Sequence, residues 1–462
     1  MKSGSSACFS WVLVACVSLG LTGCGESSYP AEKIKEALLE ICRTEYGVED
    51  LDVKIVGKTI GVYLPLKKLF AADFKDAVSG GKIKNIETLF EPSPEALDKV
   101  EDVLFSISRV ILSTDRPIDF YVLKATDVES TGLQLILKGY INDIKRVRVW
   151  DISRDEYRKR VIHELKLNQT VIWHKPVRSF FADLPRLGPE KLKGKYFTQD
   201  LDQQTINQLF FGMYPQLDPS DFGEWPIEEM RSTELNQRSA VVYAKVKPQI
   251  PRPETAQKAA DASLEYLFII QIIDGEGQIS RVIPFQFQSA VGFEKIDFPK
   301  ELQVGENLSK WQEEFKVEPI HLGVFLAQQI TRRVQAMVAT DERVRHTLGD
   351  AKLEFDYTEE DGKPHFVLNA DVSLSEYQHT NVEAMMLHED MRYVLEMASR
   401  EFVEVLRSYS FRDYDYLRLN FSQDPAKPWI FGRDDLELFR RNKTDMKTLL
   451  SEKSAPGISP LF

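Results

Sequence analysis

Cysteine, long apolar runs and net positive charge are all scarce in this chain of 462 residues. The only cysteines are Cys8, Cys16, Cys24 and Cys42. Beyond residue 21 no segment is long and apolar enough to span a bilayer, which takes about 20 residues. The strongest run, Tyr266–Ile273, is interrupted by Gln271 and reads as a buried strand. The formal charge of −12 argues against nucleic acid as a partner. Catalytic signatures are missing too. There is no Gly-x-Ser-x-Gly elbow, and Ser79-Gly80-Gly81-Lys82 is not a phosphate-binding loop. His163-Glu164 and His388-Glu389 each lack the second histidine of a zinc helix, and the nine residues from His379 to His388 do not place both on one helical face. No metal or cofactor is expected. An active site assembled from residues distant in sequence stays open.

The N-terminus carries the most specific pattern. Lys2 is followed by a largely apolar stretch from Ala7 to Leu21 that ends in Leu21-Thr22-Gly23-Cys24. Position, length and composition are those of a signal peptide over 1–23. The last four residues resemble the lipobox of bacterial lipoproteins. The resemblance covers about the first 25 residues and implies cleavage before Cys24 and a diacylglycerol thioether on it. Further acylation, commonly with palmitate, would make the attachment lasting, because one acyl chain alone binds only marginally. Gly25 stands where Asp would favour the inner membrane, so the expected address is the outer membrane facing the periplasm, with surface exposure open. Cys42 would then be the last free thiol, and no disulfide could form within the mature chain. Cys42 lies on a helical pattern and reads as a small buried hydrophobe.

The body, with 43% hydrophobic residues, is that of a folded α+β protein. After a tether at 24–30, the expected units are an N-terminal module (31–185), a middle region (186–317), a C-terminal module (318–446) and a loose tail (447–462). In the N-terminal module one helical face runs Ile34, Ala37, Leu38, Ile41 and Cys42, and Val53–Leu64 alternates as a hairpin. Ser93-Pro94 opens a second helix with a stripe at Leu97, Val100, Leu104, Ile107 and Ile111, and strands follow near 118–125, 133–141 and 146–152. The C-terminal module repeats that order: a helix through Val324–Val338, a hairpin around Asp361-Gly362, a helix near 388–409, and strands near 414–421 and 428–432. Two αββαββ-like modules flanking a middle α+β region suggest internal duplication. The middle region is expected to hold a helix near Leu201–Met213, a strand at Ala240–Lys247, a stiff break at Pro248–Pro253 and a hairpin across Asp274–Gly277.

Two local echoes accompany the repeated order. Ile118-Asp119-Phe120 matches Tyr414-Asp415-Tyr416. Trp150, Arg154 and Asp155 match Trp429, Arg433 and Asp434 and are candidates for a structural or partner-contact motif. Charge is segregated: residues 138–195 hold 15 basic and 7 acidic residues, whereas 196–237 hold one basic and eight acidic. Arg158, Lys159 and Arg160 are therefore a candidate basic surface for anionic lipid or an acidic partner, and mutual pairing of the two blocks is the structural alternative. The leading expectation is a non-enzymatic adaptor or subunit of an envelope assembly, in contact with the membrane through Cys24 and with other envelope proteins. A lipoprotein binding a small molecule or glycan is the second expectation, and a hydrolase the third.

Overall fold

The computed structural model describes residues 29–70, 92–129, 131–187, 189–198, 224–247, 263–284, 308–347, 351–371, 389–421 and 428–452. The fold is α+β, with three separate sheets. Cys24, the expected helix near Leu201–Met213 and the proline-rich break lie outside the described residues.

The N-terminal sheet has the order β1 (Asp52–Val56), β2 (Thr59–Leu66), β3 (Phe120–Asp127), β4 (Leu133–Tyr140), β5 (Ile162–Leu167). β2 and β3 are parallel and the other pairs antiparallel. Parallel neighbours need a crossover, supplied here by α2 (Pro94–Ile111). α1 (Ile34–Tyr46) packs beside it, burying the expected face from Ile34 to Cys42. The Cys42 thiol is fully buried, and burial pushes its pKa up, so it is a poor nucleophile. Ser93 Oγ accepts the Ala96 N–H at 3.2 Å and caps α2. The buried face of α2 is rotated from the expected stripe. It uses Val100, Val103, Ile107, Val110 and Ile111, while Leu97 is exposed.

The strand expected near 146–152 is not one. Residues 141–148 form α3 (Ile141–Arg148), because Ile141 and Ile144, one turn apart, share the buried side that Val147 and Val149 do not reach. α4 (Arg154–Arg160), capped by Ser153, leads into β5.

The middle sheet is an antiparallel meander of β6 (Ile227–Asn236), β7 (Ser239–Val246), β8 (Leu264–Ile273) and β9 (Glu276–Pro284). α5 (Gln169–Asp183) and α6 (Pro189–Tyr196) cover one face. No helix is expected at 169–183, which falls within the expected N-terminal module 31–185, yet Trp173, Val177, Phe180 and Phe181 of α5 form a core with Val242, Ala244, Tyr266 and Phe268 of the middle sheet.

The C-terminal sheet has the order β10 (Lys352–Glu360), β11 (Lys363–Asp371), β12 (Tyr416–Phe421), β13 (Trp429–Gly432), again with a parallel central pair. Its first hairpin turns on Asp361 and Gly362, at φ +53° and +72°. Two left-handed residues in a row suit the twist of a two-residue hairpin, and Asp-Gly is a preferred pair for it. α7 (Leu322–Thr340), α8 (Glu342–Thr347) and α9 (Glu389–Ser408) precede or cross the sheet, and α10 (Arg433–Arg440) and α11 (Met446–Glu452) follow it. α11 corrects the expectation of a loose tail from 447: Met446, Leu449 and Leu450 dock in the core beneath α9. Among the described residues the two outer modules therefore share strand order and strand direction over their first four strands, each with a helix before the first hairpin and one across to the third strand, and α8 is an addition of the C-terminal module.

Candidate functional site

The N-terminal and middle sheets are tied together by one segment that sequence periodicity does not reveal. Residues 308–320, between the middle sheet and α7, form a strap with almost no regular structure of its own. Trp311 packs on Val241, Tyr243 and Leu267, on the face of the middle sheet away from α5. Gln312 exchanges both backbone hydrogen bonds with Ser232 of β6, at 2.8 and 3.0 Å. Phe315 and Val317 then cross the face of the N-terminal sheet that points away from α1 and α2, packing with Tyr63. Phe315 stacks on Tyr63 at 5.4 Å between centroids, and the ammonium groups of Lys54 and Lys124 lie 5.3 and 5.9 Å from its ring. Gly61 permits this approach: a Cβ there would lie 2.2 Å from Val317 Cγ2.

Where an irregular segment is partly buried, its backbone polar groups must find partners. Here the sheet and α5 supply them. Lys54 Nζ donates to Phe315 O and Lys124 Nζ to Lys316 O, both at 2.7 Å. Asn168 Nδ2 donates to Glu314 O at 3.1 Å, and the Ile320 N–H donates to Thr59 Oγ1 at 3.0 Å.

Glu314 is the centre of the strap. Its carboxylate accepts from the Tyr63 hydroxyl at 3.0 Å, meets His174 Nδ1 at 2.9 Å and pairs with Arg178. Burial alone would raise its pKa, but the His174 hydrogen bond and the Arg178 charge outweigh it and hold the carboxyl at about 2. His174 is fully buried, and desolvation lowers its pKa against the pull of Glu314. Burial beside the carboxylate pushes the Tyr63 hydroxyl up. A carboxylate orienting a histidine is also the arrangement of a general base. That role requires the other ring nitrogen to reach a substrate proton. His174 Nε2 is enclosed, with no hydrogen-bond partner among the described residues. The cluster is therefore suited to locking the strap rather than to proton transfer.

A second buried polar cluster joins the outer modules. Asp143 of α3 accepts from Arg160 Nη1 at 2.9 Å and from the Tyr409 hydroxyl at 2.6 Å. The Arg160 guanidinium lies 4.8 Å from the Tyr409 ring. Gln329 of α7 donates to Arg160 O and Tyr409 Oη, at 2.8 and 2.9 Å. Arg333 bridges Glu156 and Glu401, at 2.9 and 3.0 Å. Burial pushes the Asp143 carboxyl up, while Tyr409, Arg160 and Arg146 oppose it. Burial also raises the Tyr409 hydroxyl, with Asp143 adding to the effect.

The residues singled out by sequence fall differently. Arg160 is buried in this cluster and does not belong to a basic surface, whereas Arg158 and Lys159 are exposed. The Trp–Arg–Asp echo does not survive superposition of the topologies. Trp429 begins β13 and is buried, whereas Trp150 lies one helix beyond β4 and is 85% exposed. Arg154-Asp155 and Arg433-Asp434 do each open a short helix, where an acid is favoured by the helix dipole. The other echo fares better: Asp119 and Asp415 directly precede β3 and β12, and each donates its N–H to the neighbouring hairpin, at 2.8 Å in both cases. Several cations of the basic block pair with acids of the same block, as in Lys138–Glu164, Arg160–Asp143 and Lys195–Asp183.

The strap was partly legible as Trp311-x-x-x-Phe315-x-Val317, apolar residues on either side of two adjacent glutamates. Its partners, Tyr63, His174 and Arg178, lie more than 130 residues away and could not be inferred from it. Among the described residues no helix is long and apolar enough to cross a membrane, and no group of three or more His, Cys, Asp or Glu could hold a metal ion. No protein-family model and no curated protein matches the chain.

Proposed function

We propose that this chain is a lipid-anchored protein of the bacterial envelope, held at the membrane through Cys24, that acts as a rigid, non-enzymatic adaptor or subunit of a larger assembly. The observation carrying this reading is the strap. The buried groups Glu314, His174 and Tyr63, all perturbed by burial and by one another, serve to lock modules together and do not face an open cleft. A multi-sheet body of fixed shape suits a part that positions other proteins. β1 and β10 are the outer strands of the two similar sheets, and outer strands offer backbone groups for pairing with a partner. We read the two outer modules as duplicated units, on their shared topology and the matching positions of Asp119 and Asp415.

Palmitate labelling and detergent extraction of envelopes test both parts. The wild-type chain should incorporate label and migrate in a discrete complex larger than the monomer, and Cys24→Ser should lose the label. A labelled chain recovered only as monomer would reject the assembly role, and an unlabelled one would reject the anchor.

A further inference from the structure

The most exposed large apolar residues of the described chain are adjacent. Val149 and Trp150, 72% and 85% exposed, form the turn between α3 and α4. The turn closes α3 by two hydrogen bonds, Trp150 N to Val147 O at 3.2 Å and Asp151 N to Arg146 O at 2.8 Å. This helix ending places one residue in the left-handed region, normally glycine or a small polar residue. α9 and α10 end in the same way, with Ser410 at φ +53° and Asn442 at φ +54°. At the end of α3 the position is filled by tryptophan, at φ +60°. A bulky side chain is disfavoured there, and this one gains no compensating burial. Local structure therefore gives no reason for the ring to be present.

Its surroundings do. Lys145, Arg148, Arg154, Arg158 and Lys159 are exposed around the tip, against exposed Asp151 and Asp155, in a chain of net charge −12. A protruding tryptophan flanked in the chain by exposed cations matches the interface of an anionic bilayer: the ring sits at headgroup level and the cations meet lipid phosphates. α3, which leads to the tip, starts at the end of the N-terminal module where the chain enters. The chain enters the fold beside the loop before β3, through Tyr29 N to Ser113 O, and α3 departs from the end of β4 that pairs with the start of β3, Tyr140 opposite Phe120. Five peptide links join Cys24 to Tyr29, a reach of about 18 Å.

We propose that the α3–α4 tip, with Trp150 at its apex, is a second membrane contact that inserts into the interface of anionic phospholipid and sets the orientation of the anchored body. The orientation rests on the anchored reading, but contact by the tip does not. The test uses residues 24–462 carrying Cys24→Ser, so that neither an acyl chain nor the apolar stretch Ala7–Leu21 contributes. Its sedimentation is measured with vesicles of phosphatidylcholine alone and of equal parts phosphatidylcholine and phosphatidylglycerol. Binding should favour the anionic vesicles and fall roughly a hundredfold on neutralising Arg148, Arg154 and Arg158 to Gln. Trp150→Gly should also lower binding while leaving the thermal midpoint unchanged or raised, because glycine relieves the left-handed residue. Binding equal to the parent for either variant, or no preference for the anionic vesicles, would overturn the proposal in favour of a protein-facing tip. A lowered midpoint in Trp150→Gly would overturn it in favour of a structural role for the ring. Flotation of the lipidated wild-type chain is scored separately, so failure of the anchor is distinguished from failure of the tip.

Discussion

The N-terminal and C-terminal sheets have the same strand order, yet one is an internal layer and the other a shell. β3 of the first is buried along nearly its whole length. β12 of the second, its topological counterpart, alternates between half-buried and buried residues. The difference lies on the face turned away from the helices. In the N-terminal sheet that face carries Gly61, Tyr63 and Phe120, which receive Phe315 and Val317 of the strap and Phe325 of α7. In the C-terminal sheet it carries Asp356, Asn369, Arg418 and Asn420, which hydrogen-bond to one another: Asn369 to Asp356 at 3.0 Å, Asn420 to Asn369 and Arg418 to Asn420 both at 3.1 Å. Topology alone thus does not say how many faces a sheet buries. Residue types on the second face do, because only apolar or small ones admit a covering layer without stranding polar groups.

Cutting the central lock should have the largest effect. Glu314→Ala leaves His174, Arg178 and Tyr63 without their shared acceptor, and removing one member of a buried ionic group costs about 3–5 kcal/mol. Urea unfolding should show it, and tryptophan fluorescence should report early exposure of Trp311.

The same lock makes stability fall in acid. His174 is buried and neutral in the fold, with a pKa below its ordinary 6.5, so unfolding takes up a proton as pH drops through that value. Glu314, held at about 2 against an ordinary 4.5, contributes stability that is complete above pH 4.5 and lost as pH falls toward 2. Each proton contributes a slope of up to about 1.4 kcal/mol per pH unit. His174→Asn should flatten the dependence between pH 7 and 5, and an unchanged slope would remove His174 from the lock.

Gly61→Val drives a side chain into Val317 and should cost about 1–3 kcal/mol by overpacking, measured by thermal melting. Tyr409→Phe strips Asp143 of one of its donors and should cost about 1–3 kcal/mol. It tests the contact of the C-terminal module with the same N-terminal sheet. The smallest effect belongs to the open face: Asn369→Ser should shift stability by no more than about 0.5 kcal/mol. A large loss there would mean that the C-terminal sheet, too, carries a hidden cover.

Elements governed by near neighbours were legible in the sequence. The face of α1, the existence of α9, the cap at Ser93 and the Asp361-Gly362 turn follow from periodicities and dihedral preferences that act over a few residues. Failures came where two local patterns competed or where partners were remote. Val147 and Val149 alternate like a strand, but Ile141 and Ile144 fixed a helix by packing. Arg160 reads as part of an exposed Arg-Lys-Arg run, but Asp143, Glu156 and Tyr409 draw it inward. The basic character of the α3–α4 region was visible, whereas the projection of Trp150 became evident only once α3 was seen to end on it.

By itself the sequence determined the α+β class, the repeated order of helices and strands in the outer modules, and the apolar residues from which most of the core is built. Those follow from side-chain period and turn chemistry, which need no knowledge of distant residues. Only the tertiary structure decided that the N-terminal sheet is covered on both faces, that α5 belongs to the middle sheet, and that Glu314 closes a lock with Tyr63, His174 and Arg178. These depend on which surfaces meet, and a buried charge is tolerated only where such a meeting supplies its partners.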